Sequence, residues 1–527
     1  MPIIHRLLSF CLLTHAVIRG TNASEWAFST LATIPLALRS PYLNIWTGSS
    51  TTPQWPTLWN KTVCGASWPG LVRVDGISYW WQGTERRSDL AQIVPGSIQM
   101  SPTRTRFQTV AGPVQLNITF LSPIEPTDWV KQSFPFSYFA IDVSSRDGQK
   151  HDIQLYSQIS GELLAVDYAQ EVTFNTVLTS QSIFHSLRKI EPSHFDKAAE
   201  TSEDGTLYLG ALNQHEISWQ SGNCGVALDE FAANGTLLNE QDPNNTRKII
   251  DDNSWVCLSL AYNFGSISST SSPVVWALGL VREPSIRTVT AKGTELRSSY
   301  FWTKYPKIDL AIDDFLADYE EASKRAQTLD MKIVGDGNDI SQSYADLLAF
   351  SARPVFGAIH ITVARTSPTT LDSSDVKVYM KDVGNSSRSN AVDVLFSAFP
   401  AFLYLDVKLA GLLLEPLLAF QSSSQYHNNY SASGLGKCFQ PLLPRYLISI
   451  DCSLRHCFSF CLYSVWSMLI MTLAHARKSG DGTLCKRYYS LLKIWADYLG
   501  ANALDNDSLS GPRSSLTEFI VDFAIIF

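Results

Sequence analysis

The sequence has little charge, and its basic residues are outnumbered by its acidic ones. Lys and Arg together number 41 against 49 Asp and Glu, which gives a formal net charge of -8 in 527 residues. A nucleic-acid-binding protein needs a basic surplus to neutralise phosphates, so the lack of one argues against such a partner. With 45% hydrophobic and only 17% charged residues, the chain is expected to bury large cores in more than one globular domain.

Several common catalytic signatures are also missing. The chain has no G-x-S-x-G, no H-E-x-x-H and no dinucleotide or phosphate loop. Ser186–Lys189 fits S-x-x-K and Lys478–Gly480 fits K-[ST]-G, but no S-D-N lies between them, which leaves little support for a serine nucleophile. Cys452, Cys457 and Cys461 fit no standard zinc spacing. We therefore expect neither a metal nor a cofactor.

The N-terminus is apolar over too short a run to span a bilayer. His5 and Arg6 precede an apolar stretch from Leu7 to Ile18, which is typical of a signal peptide. Thr21–Ala23 is the best match to a cleavage site, so residues 1–23 are predicted to be removed and the mature protein to be secreted into the extracellular space. The alternative is a buried N-terminal helix.

Acceptor sequons for N-glycosylation are spread along the chain and support secretion. An Asn-x-Ser/Thr sequon indicates a surface asparagine in a secreted protein. Besides the sequons at Asn22 and Asn506, the predicted glycosylation sites are Asn60, Asn117, Asn234, Asn244, Asn385 and Asn429. We therefore expect a glycoprotein.

The first half of the chain has the pattern of β-strands. Short alternating runs are separated by turn clusters such as 146–149 and 203–205. One run alternates apolar with polar residues, and its apolar members are Val114, Leu116, Ile118 and Phe120. This pattern predicts half-buried antiparallel strands. We expect a β-sandwich-like domain over residues 24–304.

The apolar period becomes helical after Tyr305. Glu321 and Arg325 stand at i and i+4, where they are predicted to pair on the outside of a helix. The segment 343–364 is expected to continue the helical domain, with Pro354 ending or kinking a helix near the residue before it. The apolar residues at helical spacing are Phe315, Tyr319, Ala322, Ala326 and Leu329.

The clearest helical pair lies near the end of the chain. A helix from about Met468 to Arg477 is followed by a short loop at 479–482. Its predicted partner carries one apolar face, made of Leu484, Tyr488, Leu491, Trp495 and Leu499. Two antiparallel helices joined in this way are the repeating unit of α/α toroids. The uncharged run Cys457–Ala474 could suggest a transmembrane helix, but we interpret it as a buried segment and expect no membrane partner.

A set of motifs in a fixed order resembles one known family. The sequence is similar to the secreted fungal glutaminase A proteins at Pro41–Trp46, Leu71–Gly76, Val274–Gly279, Ser299–Trp302, Tyr344–Leu347, Val392–Phe396, Phe399–Phe402 and the hairpin from Met468 to Leu499. The resemblance implies an α+β multidomain protein, with an N-terminal β-rich domain and an (α/α)6 six-hairpin toroid over 305–527.

The same resemblance implies a function. It implies extracellular hydrolysis of L-glutamine to L-glutamate and ammonia, with a small molecule as partner. Two alternatives stay open. Six-hairpin domains also occur in carbohydrate-active enzymes, so a glycoside hydrolase acting on a glycan is the first. A non-catalytic product is the second.

The resemblance is interrupted between about 433 and 467. Ser433–Gly436 stands where the family has a His-Asp-Leu-Gly motif, and Lys437–Ser467 has Asp451 as its sole acid. We interpret the segment as translated intron or shifted frame, with a divergent insert as the alternative. The family pattern also stops after Leu509. Both departures predict an incomplete toroid, and possible inactivity is the corresponding expectation.

Four residues are the candidates for the site. Amide hydrolysis needs groups that move protons, and Asp393 and Asp346 are the surviving acids of the helical domain that could act catalytically. The alternative is that each acid caps a helix or balances its dipole. Trp219 and Gln220 could bind substrate from the β-domain, although a Trp at a strand end is more often part of a core.

Overall fold

A computed structural model describes most of the chain between residues 33 and 503. The described residues are 33–48, 55–58, 67–83, 90–165, 167–192, 204–214, 216–251, 254–290, 293–367, 370–383, 388–436 and 454–503, without the side chains of 289 and 454–460. The predicted signal peptide, Asn60, Asn385, residues 437–453 of the interruption and the tail after 503 lie outside this set.

Strands dominate the first half of the chain. In chain order they are β1 (Thr33–Ser40), β2 (Leu43–Gly48), β3 (Thr57–Leu58), β4 (Gly70–Val74), β5 (Ile77–Gln82), β6 (Ala91–Gln92), β7 (Val94–Met100), β8 (Arg104–Ala111), β9 (Val114–Leu121), β10 (Phe136–Ser145), β11 (His151–Ser160), β12 (Glu171–Leu178), β13 (Ser182–Lys189), β14 (Thr206–Leu212), β15 (Ile217–Asn223), β16 (Glu240–Gln241), β17 (Thr246–Lys248), β18 (Ile250–Asp251), β19 (Ser254–Ile267), β20 (Val274–Val281), β21 (Ile286–Thr290), β22 (Gly293–Ser299), β23 (Ile359–Ser367) and β24 (Thr370–Met380).

Helices dominate the second half. They are α1 (Trp129–Gln132), α2 (Cys224–Asn234), α3 (Ile308–Ala317), α4 (Tyr319–Asn338), α5 (Gln342–Gly357), α6 (Val392–Leu405), α7 (Val407–Gln421), α8 (Leu454–Ser479), α9 (Thr483–Arg487) and α10 (Tyr489–Ala503). Single 3-10 turns lie at Gly161–Leu163 and Tyr300–Thr303. The α+β architecture predicted from the sequence is confirmed.

Two large sheets face each other in the N-terminal half. One has nine strands in the order β17-β12-β13-β14-β20-β10-β9-β8-β7, all paired antiparallel. The other has eight, seven of them in the order β16-β15-β19-β11-β4-β5-β6, with β18 against β19. The core between the sheets takes apolar side chains from both, including Leu116 and Phe139 from the first and Val72 and Leu258 from the second. The predicted β-sandwich is therefore confirmed.

The alternating pattern of β9 is the clearest local cause of this arrangement. Val114, Leu116 and Ile118 are buried in the sandwich core, whereas Gln115 and Asn117 between them are half-buried. Because successive side chains of a strand point to opposite faces, one face of β9 lines the core. The sequence pattern gives the same result.

Helices cover the outer face of the nine-stranded sheet. Tyr138 of β10 stacks on Phe315 of α3 with ring centroids 4.0 Å apart, and its hydroxyl donates to the Phe315 carbonyl at 2.5 Å. Val275 and Ala277 of β20 belong to the same apolar cluster. The strand β20 is thus buried on both faces, which explains its unbroken apolar sequence.

The segment after α5 corrects two expectations. Helix α5 continues through Pro354 to Gly357, so the expectation that Pro354 ends the helix is wrong, while a kink there stays a prediction. The residues that follow, predicted to be helical, form β23, which pairs with β22 and with β24 in a four-stranded sheet. The sequence of β23 is rich in β-branched residues, which favour strands. Its backbone groups bond to β22 and β24, and β22 lies far away in the sequence, so a search for helical periodicity does not reveal the strand.

The remaining helices form the predicted helical unit. The helices α8 and α10 pack on each other across the turn that contains Gly480, whose φ of +70° suits glycine. Tyr488, Leu491, Trp495 and Leu499 are all buried, as their spacing predicts. Helix α8 begins at Leu454 and passes Met468 without a break. Within the described part of the chain, no helix is both long and apolar enough to cross a membrane.

Candidate functional site

Asp393 lies in the first turn of α6 and is paired with a cation. Its carboxylate accepts from Nη2 of Arg388 at 3.0 and 3.2 Å, and Nη1 of the same guanidinium donates to the carbonyl of Ser433 at 3.2 Å. The pair therefore ties the start of α6 to the chain segment that replaces the family motif. This position agrees with the structural alternative considered from the sequence, and the catalytic role of Asp393 stays a prediction.

Asp346 lies in α5 and has one polar neighbour from its own helix. Its Oδ1 accepts from Nε2 of Gln342 at 3.0 Å. Burial raises the pKa of the Asp346 carboxyl. The side chains of Tyr344 and Leu347 beside it are exposed. Asp346 is thus available on the surface of α5, and its role also stays a prediction.

Trp219 and Gln220 lie in β15 of the eight-stranded sheet. The Trp219 ring packs against the sandwich core, 5.9 Å from the ring of the buried His185, while the Gln220 side chain is buried. Among the described residues, no hydrogen bond, ion pair or ring contact joins either of them to Asp346 or Asp393. The four predicted residues do not form one cluster of contacts.

The described sequons differ in accessibility. Asn234, Asn244 and Asn429 are exposed, whereas Asn117 is half-buried in β9, where its Oδ1 accepts from Nε2 of Gln115 at 3.4 Å. Glycosylation at these positions stays a prediction, and Asn117 is the least accessible of the four.

A different group of side chains meets beside the motifs Pro41–Trp46 and Val274–Gly279. Tyr42 lies in the turn between β1 and β2, Arg282 and Glu283 directly follow β20, and Lys381 directly follows β24. His360 lies at the start of β23. We call Tyr42, Asp204, Arg282, Glu283, His360 and Lys381 the junction site, because they lie between the sandwich and the helical unit.

Two cations enclose the ring of Tyr42 in the junction site. The Arg282 Cζ lies 4.4 Å and the Lys381 Nζ 4.3 Å from its centroid, and the His360 ring lies 5.7 Å away. Such cation–π contacts stabilise charges that are removed from water. Arg282 is also held by two hydrogen bonds to Asp204, at 2.7 and 2.8 Å. The tyrosine therefore fixes both cations in place.

His360 is held in its neutral form by this surrounding. Burial, together with the charges of Arg282 and Lys381, lowers its pKa to about 3. A neutral imidazole can accept or donate a hydrogen bond without carrying charge. At neutral pH the positive charge of the junction site thus belongs to the two long side chains.

Glu283 is the acid of the junction site with a perturbed proton affinity. Glu283 is exposed at the surface, and its carboxylate is bound by Arg365 and by Ser298 Oγ at 2.5 Å. The surrounding protein atoms desolvate the carboxyl and raise its pKa, although both of these partners act in the opposite direction. A carboxyl with a raised pKa in a cleft is a recognised sign of acid–base chemistry.

Glu283 lines a cleft of a size suited to a small molecule. The cleft has a volume of about 520 Å³, within the usual range of small-ligand sites. Carboxylates and cations both line it, which suits a zwitterion. Its charged or aromatic lining residues are Arg188, Lys189, Asp204, Tyr208, Glu283, Trp302 and Lys307.

Sequence reasoning did not select Glu283. The motif Val274–Gly279 ends four residues before it, and the only local signal is an Arg-Glu pair directly after a buried strand. Two opposite charges directly after an apolar strand need ion partners or water, because an unpaired buried charge is costly. Such a pair therefore indicates that the strand ends in a polar environment. Among the described residues, no group of three His, Cys, Asp or Glu side chains could hold a metal ion.

Comparisons with known sequences divide the chain in two. Residues 103–336 match the sequence model of a domain of unknown function (DUF5127), and residues 341–510 match that of the glutaminase A six helical-hairpin domain. The two matches meet where α4 ends and α5 begins. Together they include the helical unit and every strand of the nine-stranded sheet except β7.

Two curated fungal proteins are similar to most of the chain. Glutaminase A of Aspergillus oryzae is 29% identical over 97% of this chain and 73% of its own length. A probable glutaminase of Arthroderma benhamiae is 26% identical over 82% of this chain and 52% of its own length. A solved glycosyl hydrolase of the gh92 family, ccman5, is 10% identical, covers 95% of this chain and 62% of its own, and has a TM-score of 0.33. That score is too low to support an argument.

Proposed function

The chain belongs to the glutaminase A family, and from this premise we propose that it is a glutaminase-type hydrolase that converts L-glutamine and water to L-glutamate and ammonia. We locate the site at Glu283, because this acid has a raised pKa and lies in a cleft that is lined by both acidic and basic side chains. The cleft lies beside the ends of the motifs that the family shares. The reaction is inferred from the family, and the position of the site is inferred from the cleft.

Glutamine presents a carboxylate, an ammonium and an amide to such a cleft. Its carboxylate suits the exposed cations Arg188 and Lys307, whereas Asp204 is already bound by Arg282 through both of its oxygens. Ionised Glu283 would accept a proton from the water that attacks the amide carbon and return it to the departing ammonia. A raised pKa brings both steps closer to neutral pH.

A glycan-acting hydrolase is the second candidate, because Asp204 and Glu283 are two carboxylates on one cleft. Ammonia release from glutamine and sugar release from oligosaccharides separate the two. We expect the purified protein to release ammonia, and Glu283→Gln to reduce the rate by about 10²- to 10⁴-fold. Sugar release without ammonia would favour the second candidate, and neither product would indicate a non-catalytic chain.

The predicted secretion is part of the proposal. The leader at 1–23 and the exposed sequons Asn234, Asn244 and Asn429 are its support. Expression of the full chain in a fungal host, with N-terminal sequencing of protein from the medium, is expected to give a chain that begins close to residue 24. Protein found in the cell with its leader intact would contradict secretion.

A further inference from the structure

Arg39 is a buried guanidinium at the junction of the sandwich and the helices. The residue is 6% exposed. Its Nη2 donates to three backbone carbonyls, those of Lys131 at 3.0 Å, Gln132 at 2.7 Å and Phe134 at 3.1 Å. Its Nε and Nη1 are also buried and donate to no atom in the described part of the protein. Part of this guanidinium therefore has donors without acceptors.

A small enclosed cavity lies against these donors. Its volume of about 10 Å³ admits one particle of the size of a water molecule. Its polar lining residues are Arg39, Gln132, Ser133, Arg282, Ser285, Ser299 and His360. The Oε1 of Gln132 accepts from the backbone N–H of Glu125 at 2.7 Å, and its Nε2 is another buried donor with no acceptor among the described residues. The unsatisfied groups of Arg39 and Gln132 at this cavity are thus N–H donors.

The charge around Arg39 does not balance. Glu125 is the acid whose charge acts on Arg39, and Glu125 is already paired with Arg325 at 2.8 Å. Arg325 is in turn paired with Asp318 at 2.6 Å, which also binds Lys131 at 2.8 Å. The side chains of Lys131 and Arg325 are 27% and 34% exposed, so water solvates part of their charge, whereas Arg39 is buried. Among the described residues no carboxylate is bonded to Arg39, so its buried charge has no direct counter-ion, which is costly.

We propose that this cavity is a binding site for a single halide ion, chloride under natural conditions. A halide accepts hydrogen bonds from several directions and supplies the missing negative charge. A water molecule also fits by size and can accept from these donors, but it carries no net charge to offset that of Arg39. Glutamine and polyatomic anions are too large for the cavity, so the site is separate from the proposed substrate cleft. Arg282 lines it too, and its own charge is balanced by Asp204.

The first test is thermal unfolding of the full chain in sodium chloride and in sodium gluconate at equal ionic strength. An ion that binds only the folded state stabilises it by mass action. At a chloride concentration 100-fold above its dissociation constant, we expect a rise in Tm of roughly 2 to 10 °C. Crystals soaked in bromide are expected to give an anomalous peak between Arg39 and Gln132.

A charge substitution makes the test specific. Gln132→Glu keeps an Oε1 atom that accepts from the backbone N–H of Glu125. It also places a carboxylate beside Arg39, and this carboxylate takes the place of the bound halide. Its Tm in gluconate is expected to rise to the chloride value and to lose its dependence on chloride. The matched control is Gln214→Glu, an exposed glutamine whose Oε1 also accepts a hydrogen bond, from the Tyr262 hydroxyl at 3.2 Å. This control is expected to retain the dependence.

Two results would overturn the proposal. One is an equal wild-type Tm in the two salts. The other is a bromide-soaked crystal with ordinary water density and no anomalous signal at the cavity. The crystal result remains decisive even if Gln132→Glu fails to fold, because it uses the wild-type chain.

Discussion

The interior of the sandwich and the junction with the helices are both buried, but their side chains are of opposite kinds. In the sandwich, Phe139 stacks on Trp276 with centroids 4.7 Å apart in a layer of apolar groups. At the junction, Arg39, Arg353 and Asp330 are each less than a tenth exposed. Apolar packing needs shape and area, whereas a buried charge needs partners in specific directions. The two regions should therefore respond differently to substitution.

Arg353 shows how the junction meets this demand. Its Nη1 donates to the carbonyl of Pro35 at 3.1 Å, and its Nη2 donates to Thr105 Oγ1 at 2.9 Å. Asp330 accepts from the Thr103 N–H at 2.9 Å and pairs with Arg104 at 3.3 Å. Both side chains belong to helices, and all their partners here belong to the strands or the turns between them. The junction is thus a polar joint between two apolar bodies.

The largest expected effect comes from the sandwich. Phe139→Ala removes a fully buried ring, and we expect a loss of about 3 to 5 kcal/mol in the free energy of unfolding. Urea denaturation followed by tryptophan fluorescence measures it. Ile77→Ala, at a side chain that is 54% exposed, is the control and is expected to change stability by less than about 0.5 kcal/mol. Equal losses in the two variants would remove the contrast between core and surface.

The next effect is at the junction. Arg353→Met retains bulk but removes the hydrogen bonds that the guanidinium donates to the Pro35 carbonyl and to Thr105 Oγ1, so we expect a loss of about 2 to 3 kcal/mol. The same urea experiment measures it, with Arg146→Met at an exposed residue as the matched control. A junction held by apolar contact alone would give no loss in Arg353→Met.

A single bridge gives a smaller effect. Asp406 caps α7 by accepting from Lys408 N at 3.0 Å, and its other oxygen accepts from the Trp129 indole at 2.9 Å. Asp406→Ala removes both contacts and should cost about 1 to 2 kcal/mol. Asp406→Asn retains the Oδ1 acceptor of the cap and should cost less in the same measurement. Equal costs for the two would show that the carboxylate itself, rather than the cap, is needed.

The smallest effect is expected at the rim of the sandwich, where His151 contacts Asp75 at 2.7 Å and Asp147 at 3.1 Å. The hydrogen bonds that the imidazole donates to these two carboxylates raise the pKa of His151. Its contribution is therefore fully present below its ordinary pKa, near about 6.5, and is lost as pH rises through the raised value. The Tm of the wild type should fall over that window relative to His151→Gln. Parallel curves would mean that the pair contributes nothing.

The sequence predicts the apolar contacts within the sandwich and the helices better than the polar contacts at their junction. The alternation in β9 and the apolar face of α10 both follow from a period that one segment carries by itself. Arg325 shows the limit of such reasoning, since it was expected to pair with Glu321 on the outside of its helix. It instead binds Glu125, 200 residues away, and Asp318, while Glu321 pairs with Lys324 at 2.8 Å. The spacing identifies partners that are near in the sequence, but the ion pairs that form depend on which charges the tertiary structure brings close.

The candidate site shows the same limit. The motifs that carry the family resemblance were visible in the sequence, but their convergence at Tyr42, Arg282 and Lys381 depends on how the strands and helices are assembled. Glu283 follows one of these motifs and carries no pattern of its own. Of the two acids predicted from the sequence, Asp393 is explained equally well by its ion pair with Arg388 in the first turn of α6, whereas Asp346 has a hydrogen bond from Gln342 of its own helix.

The central claim is that Glu283 in the junction site performs acid–base chemistry on glutamine. Its most direct test is kcat/KM for ammonia release by the wild type, Glu283→Gln and Asp393→Asn, with the Tm of each as a check on folding. We expect kcat/KM to fall by about 10²- to 10⁴-fold in Glu283→Gln at an unchanged Tm, and to fall much less in Asp393→Asn. Full activity in Glu283→Gln together with inactive, folded Asp393→Asn would contradict the claim and would place the chemistry at α6.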